Sequence, residues 1–99
     1  MRDWLDEHMQ AVFGKTIPKA VEYGSHDLRM MGEEMFVLFP QLEGVVSPEE
    51  LAIAFYIRGK IARLFGAYAQ GKMPSDDTWL DTEVYAQMAQ YVRQNGRWG

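Results

Sequence analysis

The 99-residue sequence contains no cysteine. A disulfide framework, a thiolate zinc site and a cysteine nucleophile are therefore excluded, and a reducing compartment is compatible with the chain. Long apolar runs are missing too. None approaches the roughly 20 residues that span a bilayer, so no membrane partner is expected. The N-terminus carries acids in place of a basic flank and an apolar run, so no secretion signal is expected, and a cytoplasmic setting is the expectation. Positive charge is scarce. A formal net charge of −4 leaves no broad basic face for a phosphate backbone, which argues against nucleic acid as a partner. The motif inventory is equally sparse. There is no Gly-x-Ser-x-Gly elbow, no Gly-Lys-Ser/Thr phosphate loop, no Gly-x-Gly-x-x-Gly turn and no His-Glu-x-x-His pair, so nucleophilic catalysis has little support.

What the chain has in plenty is methionine and aromatic residues: seven Met, three Trp, five Tyr and five Phe. That richness makes a self-associating surface plausible. With 47 % hydrophobic and 24 % charged residues, residues 1–99 read as one domain, able to build a core but marginal in stability as a lone monomer. Charge is uneven along it. Residues 1–50 hold four Lys/Arg against ten Asp/Glu, and residues 51–99 hold six against four. Complementarity within or between subunits is one reading of that split, and chance in a short chain is the other.

The chain is organised around residues 47–71. Ser47 can cap a helix, Pro48 suits its first position, and Glu50 completes a Ser-x-x-Glu capping box. Gly71, with Pro74 beyond, ends it. Between them the only charges are Arg58, Lys60 and Arg63. At about 100° per residue, Ala54, Ile57, Ile61, Leu64, Phe65 and Tyr68 form an apolar stripe, and Gly59, Ala62 and Gly66 form a small-residue ridge open to a close neighbour. Lys60 and Arg63 share the third sector. Held on so apolar a helix, these cations call for partners.

Helices are expected on either side. Residues 3–13 form a first amphipathic helix with Trp4, Leu5, Met9, Val12 and Phe13 on its apolar side, closed by Gly14. A short helix restarts at Pro18 and ends at Gly24. Ser25 caps a third, residues 26–39, stopped by Pro40; Gly24 as a kink in one longer helix is the alternative. Ser75 caps the last helix, which runs to about Gln94 with Leu80, Val84, Met88, Tyr91 and Val92 inward and Tyr85 at the margin. Residues 97–99 read as a tail. The fold class is all-α, a bundle of four to five helices.

Two carboxylates stand out on the last helix. Asp77 and Asp81, four residues apart, fall on its apolar face, and Asp is almost never fully buried unless paired. One reading is structural: Asp77 is a helix-terminus acid, and Asp81 pairs with Lys60 or Arg63. The other is chemical: two such carboxylates share a Mg²⁺ whose shell substrate phosphates complete. A third polar cluster, residues 22–27, reads either as a helix break or as a second acidic wall beside an anion-binding helix terminus.

Glu22-Tyr23-Gly24-Ser25, then Ser47-Pro48-Glu49-Glu50 leading into Lys60-Ile61-Ala62-Arg63-Leu64, then Asp77-Thr78-Trp79-Leu80-Asp81 leading to Tyr85-Ala86, occur in that order. Over residues 18–92 this succession resembles the MazG-like, all-α nucleotide pyrophosphatases, and in particular their small phage and prophage members of nucleotide-modification-associated or unknown function. The resemblance implies a helical bundle commonly completed by homodimerisation. It also implies nucleotide handling, in active members the Mg²⁺-dependent cleavage of a nucleoside triphosphate to the monophosphate and pyrophosphate. Carried over by position, Asp77, Asp81, Glu22 and Asp27 are the expected metal-binding acids. Lys60 and Arg63 are the expected phosphate contacts, with Tyr23, Gly24 and Tyr85 nearby. The chain departs from the active enzymes in lacking their Glu-x-x-Glu pair ahead of the central helix. The alternative to an enzyme is an inert helical interaction module, in which Lys60, Arg63, Asp77 and Asp81 form an ion-pair network that fixes helix register.

Overall fold

The computed structural model describes residues 1–22, 24–75 and 77–98, except for the side chains of Val21 and Ser25. Within them lie four α-helices, α1 (Arg2–Glu22), α2 (Ser25–Leu38), α3 (Pro48–Ala69) and α4 (Asp77–Asn95), with a 3-10 turn at Pro40–Leu42. The all-α expectation holds. None of these helices is long and apolar enough to cross a membrane.

The ends of α3 follow from local chemistry. Ser47 Oγ accepts the Glu50 amide at 3.2 Å, and Pro48 occupies the first turn. At the other end Gly71 takes φ +71°. The Gly71 amide then reaches the Tyr68 carbonyl and the Lys72 amide reaches that of Ala67, both at 2.9 Å. That pair of bonds is a Schellman closure, which uses a left-handed glycine to satisfy orphan carbonyls. The second half of the expected capping box is diverted, because the Glu50 carboxylate takes a two-pronged bond from Arg93 on α4 at 2.9 and 2.7 Å.

The first helix departs from expectation. Gly14 does not close it and Pro18 does not begin a new one; α1 runs unbroken through both. A proline inside a helix removes one backbone bond and crowds the carbonyl four residues earlier. Here that carbonyl belongs to Gly14, around which a Cβ would meet no atom within 4 Å. Packing on α4 holds the turn together instead. Val12 is buried, and Thr16 Oγ1 bonds both the Val12 carbonyl and Gln87 Oε1 at 2.8 Å. The break falls at Gly24, which precedes α2 as its cap residue. The kinked long helix is therefore not adopted.

α3 is central, lying between α2 and α4, while α1 packs on α4. Val12, Leu28, Ala52, Ile53, Val84, Tyr85, Met88, Val92 and Trp98 form the core. Close approach of α2 to α3 occurs at Gly32, where a Cβ would overlap the Pro48 backbone. The expected ridge of Gly59, Ala62 and Gly66 faces open space instead. Of the expected α3 stripe only Leu64 is buried; Ile57 and Ile61 are half-buried, and Ala54, Phe65 and Tyr68 are exposed. The supposed tail folds back. Trp98 is buried, its indole Nε1 donates to the Lys19 carbonyl at 3.2 Å, and its ring meets Tyr91 edge-on. Lys19 lies in the last turn of α1, where carbonyls lack helical partners, so the indole supplies one.

Candidate functional site

The cations of α3 and the acids of α4 meet along the flank that these helices share with α1. Lys60 Nζ donates to Asp81 Oδ2 at 3.0 Å, and Lys15 Nζ reaches Asp81 Oδ1 at 3.4 Å from the α1 side. The Asp81 side chain is 19 % exposed. Burial on its own would raise the Asp81 carboxyl. The hydrogen bond and charge of Lys60, joined by those of Lys15, outweigh it and hold the group below the ordinary aspartate value. Asp77 is different: it is 69 % exposed and lies 3.6 Å from Lys15.

Two neighbouring pockets open on this junction. Phe55, Tyr56, Gly59, Lys60, Arg63 and Tyr85 line one of about 270 Å³. Tyr56 and Tyr85 stack in it with ring centroids 5.3 Å apart and planes 3° from parallel. Arg63 is exposed at this pocket and, among the described residues, enters no ion pair. Thus one of the two expected phosphate contacts, Lys60, is committed to Asp81, and the other presents a guanidinium to solvent. Gly14, Lys15, Pro18, Lys19, Glu22 and Asp81 line the second pocket, of about 230 Å³. Lys19 Nζ sits 4.7 Å from the centroid of the Tyr85 ring, so α1, which lines the second pocket, also touches a residue of the first.

The expected acids are thereby separated into different settings. Asp81 is clamped and Asp77 is near the same lysine, while Glu22 is exposed at the rim of the second pocket and Asp27 is exposed on the first turn of α2. Among the described residues no three His, Asp or Glu side chains gather closely enough to hold a metal ion. Tyr23 lies outside the described residues. Gly24 serves as the cap residue of α2.

Several contributors were hidden from the sequence. Lys15 is the second clamp on Asp81, and it shares a helix face with Lys19 only once α1 is continuous through Gly14. His8 is half-buried, stacks on Trp4 at 4.7 Å and pairs with Glu83 at 2.5 Å. The charge split between the two halves of the chain is not how the pairs form: Glu50–Arg93 follows its sign, but Lys15–Asp81 runs against it. Comparison with known proteins adds no neighbour: no family model, curated protein or solved structure matches the chain.

Proposed function

We propose that the chain is a nucleotide-handling protein, of the small phage type that its motif order resembles. The observation that carries this reading is the pocket formed by Lys60, Arg63 and three aromatic side chains, Phe55, Tyr56 and Tyr85. A guanidinium that enters no ion pair among the described residues suits a phosphate, since its planar fork bonds two oxygens at once. The half-buried rings of Phe55 and Tyr56, the latter backed by the buried Tyr85, suit a base, whose stacking is worth about 1–3 kcal/mol. The exposed backbone at Gly59 leaves room for a ligand to approach.

Mg²⁺-dependent pyrophosphohydrolysis is the fullest form of this proposal, and the donor set does not fit it here. A magnesium site on carboxylates needs anionic oxygens turned toward one point. Asp81 already answers two ammonium groups; Asp77 meets the same Lys15 and Glu22 lines the same pocket, both exposed, and among the described residues no three acids gather closely enough to hold an ion. The proposed activity is therefore recognition of a phosphate and a base.

A thermal-shift panel tests it. A ligand at ten times its Kd contributes about 1.4 kcal/mol, several degrees of Tm for a domain near 100 residues. Nucleoside triphosphates are expected to raise Tm with chelator present, and Arg63→Ala, exposed and outside the core, is expected to remove the response. Unchanged melting for every nucleotide, with and without Mg²⁺, would sink the proposal. A response that requires Mg²⁺, with pyrophosphate released, would favour the hydrolase form.

The clamp on Asp81 favours a second reading, an inert helical interaction module in which Lys15, Lys60 and Asp81 lock three helices in register. It predicts that Asp81→Ala costs stability while no nucleotide alters melting in either protein.

A further inference from the structure

We propose that the cleft beside the second half of α2 binds a short cationic, amphipathic segment of another protein. Gly32 sets the cleft in place by seating α2 on the backbone of Pro48. Beyond it α2 runs to Leu38, the 3-10 turn at Pro40–Leu42 follows, and Gly44, at φ +84°, turns the chain back toward α3. One wall is the helical face of Glu33, Phe36 and Val37, which the spacing places together. The other is the returning segment, with Glu43, Val46 and Pro48. The space between them is about 650 Å³, against about 270 Å³ at Lys60. Both walls are held before any partner arrives. The Phe39 and Phe55 rings lie 6.3 Å apart, and the amides of Val45 and Val46 both bond the Leu42 carbonyl.

Charge identifies the occupant. From residue 30 to residue 57 the chain has five glutamates and no Lys, Arg or His. Arg29 answers Glu49 and Arg93 answers Glu50. Glu33, Glu34 and Glu43 enter no ion pair among the described residues. Two of these three, Glu33 and Glu43, line the cleft from its opposite walls. Between them the lining is apolar: Phe36 and Val46 are half-buried, and Val37 is 81 % exposed. Exposed apolar surface with a polar rim marks a protein contact, and a rim of one sign selects a partner of the other. A nucleic acid or an anionic membrane meets these carboxylates with like charge. A bare cation has nothing to lay against Phe36 and Val46. A segment with apolar side chains between flanking Lys or Arg answers both, in the manner of a helix seated in a groove. Leu5, Met9 and Phe13 of α1 are exposed too, but they form a convex ridge on one helix. Pro48 and Lys60 lie about 18 Å apart along α3 at 1.5 Å per residue, so the inference goes beyond nucleotide handling and does not rest on it.

Fluorescence anisotropy tests it, with a labelled peptide of about 14 residues made of Leu and Lys at helical spacing. The whole chain is titrated to about 200 µM, a range that covers micromolar affinities. Saturable binding is expected, and none for the same peptide with Glu in place of Lys. Glu33→Lys with Glu43→Lys is expected to weaken binding about tenfold or more, since each attraction becomes a repulsion. Val37→Asn, which changes no charge, is expected to weaken it severalfold. All three positions are exposed, so helix content is expected to stay the same. Asp3→Lys with Glu7→Lys makes the same change of net charge on α1 and is expected to leave binding within about twofold, because salt screens distant charges. No binding of the Leu/Lys peptide overturns the proposal. So does equal binding of the Leu/Glu peptide, or an equal loss in the α1 variant. A wild-type chain that sediments as a dimer, with Val37→Asn a monomer, also overturns it, because a second copy then fills the cleft.

Discussion

Arg29 Nε donates to Glu49 Oε1 at 2.9 Å, joining α2 to the first turn of α3, and the Glu49 side chain is only 3 % exposed. The hydrogen bond to Glu49, with its charge, raises the Arg29 pKa still further, so the guanidinium is charged at every working pH. Removing it leaves a carboxylate in the interior with no cation. Breaking a buried pair in this way typically costs about 3–5 kcal/mol. Arg29 is itself half exposed, so solvent screens the pair in part, and Arg29→Ala is expected to cost less than breaking a fully buried pair but more than losing an ordinary surface pair. Urea denaturation measures it; a loss below about 1 kcal/mol, the value of a surface pair, would show that Glu49 is not held by Arg29.

Gly32 is the position where α2 and α3 touch backbone to backbone. Because a Cβ there overlaps the Pro48 carbonyl, Gly32→Ala is expected to push the two helices apart. Overpacking costs about 1–3 kcal/mol, against the gain of up to about 1 kcal/mol that alanine brings to a helix interior. The net expectation is destabilisation. Gly59→Ala is the control. It adds a methyl to open space and is expected to raise Tm or leave it unchanged.

Acid is expected to weaken the fold through two carboxylates. The hydrogen bond from Arg93 lowers the Glu50 pKa, and Lys60 with Lys15 lowers that of Asp81 against the opposing effect of burial. A depressed folded-state pKa means that the unfolded chain binds protons first on acidification. The stability from both groups is therefore complete above about pH 5 and is lost as pH falls through the unfolded values, about 4.3 and 3.9, toward the folded ones. Melting followed from pH 7 to pH 3 checks this, and Asp81→Asn is expected to flatten part of the slope below pH 5. An equally steep slope in that variant would remove Asp81 from the account.

Local signals and distant ones were not equally legible in the sequence. The ends of α3 could be read from Ser47, Pro48 and Gly71, because caps act within a single turn. Lys60 was legible as a possible partner of Asp81, with Arg63 as the alternative, since Asp81 fell on an apolar face and both cations sat on an apolar helix; the structure chooses Lys60. Lys15 was not legible in this way, because its contact with Asp81 spans 66 residues, and Gly14 and Pro18 suggested a break that packing against α4 overrides. Trp98 looked like part of a tail for the same reason: no pattern in residues 97–99 announces a bond to a carbonyl 79 residues earlier. The apolar faces of α1 and α3 were legible as faces, but hydrophobic spacing does not say which neighbour covers them. Gly32 showed no such pattern, and the expected small-residue contact was placed on the wrong helix.

The placement of α1 against α4 sets an order of assembly. Residues 2–22 leave the ribosome before α2, α3 and α4, yet the groups that hold them, Glu83, Gln87 and Trp98, are made only with α4 and the segment after it. Synthesis proceeds at about 5–20 residues per second, so the first helix waits several seconds with Val12 and Thr16 uncovered. Contacts this distant along the chain close slowly. α2 and α3, joined by a short connection, are positioned to pair first, and α1 docks only when α4 and Trp98 arrive to clasp it.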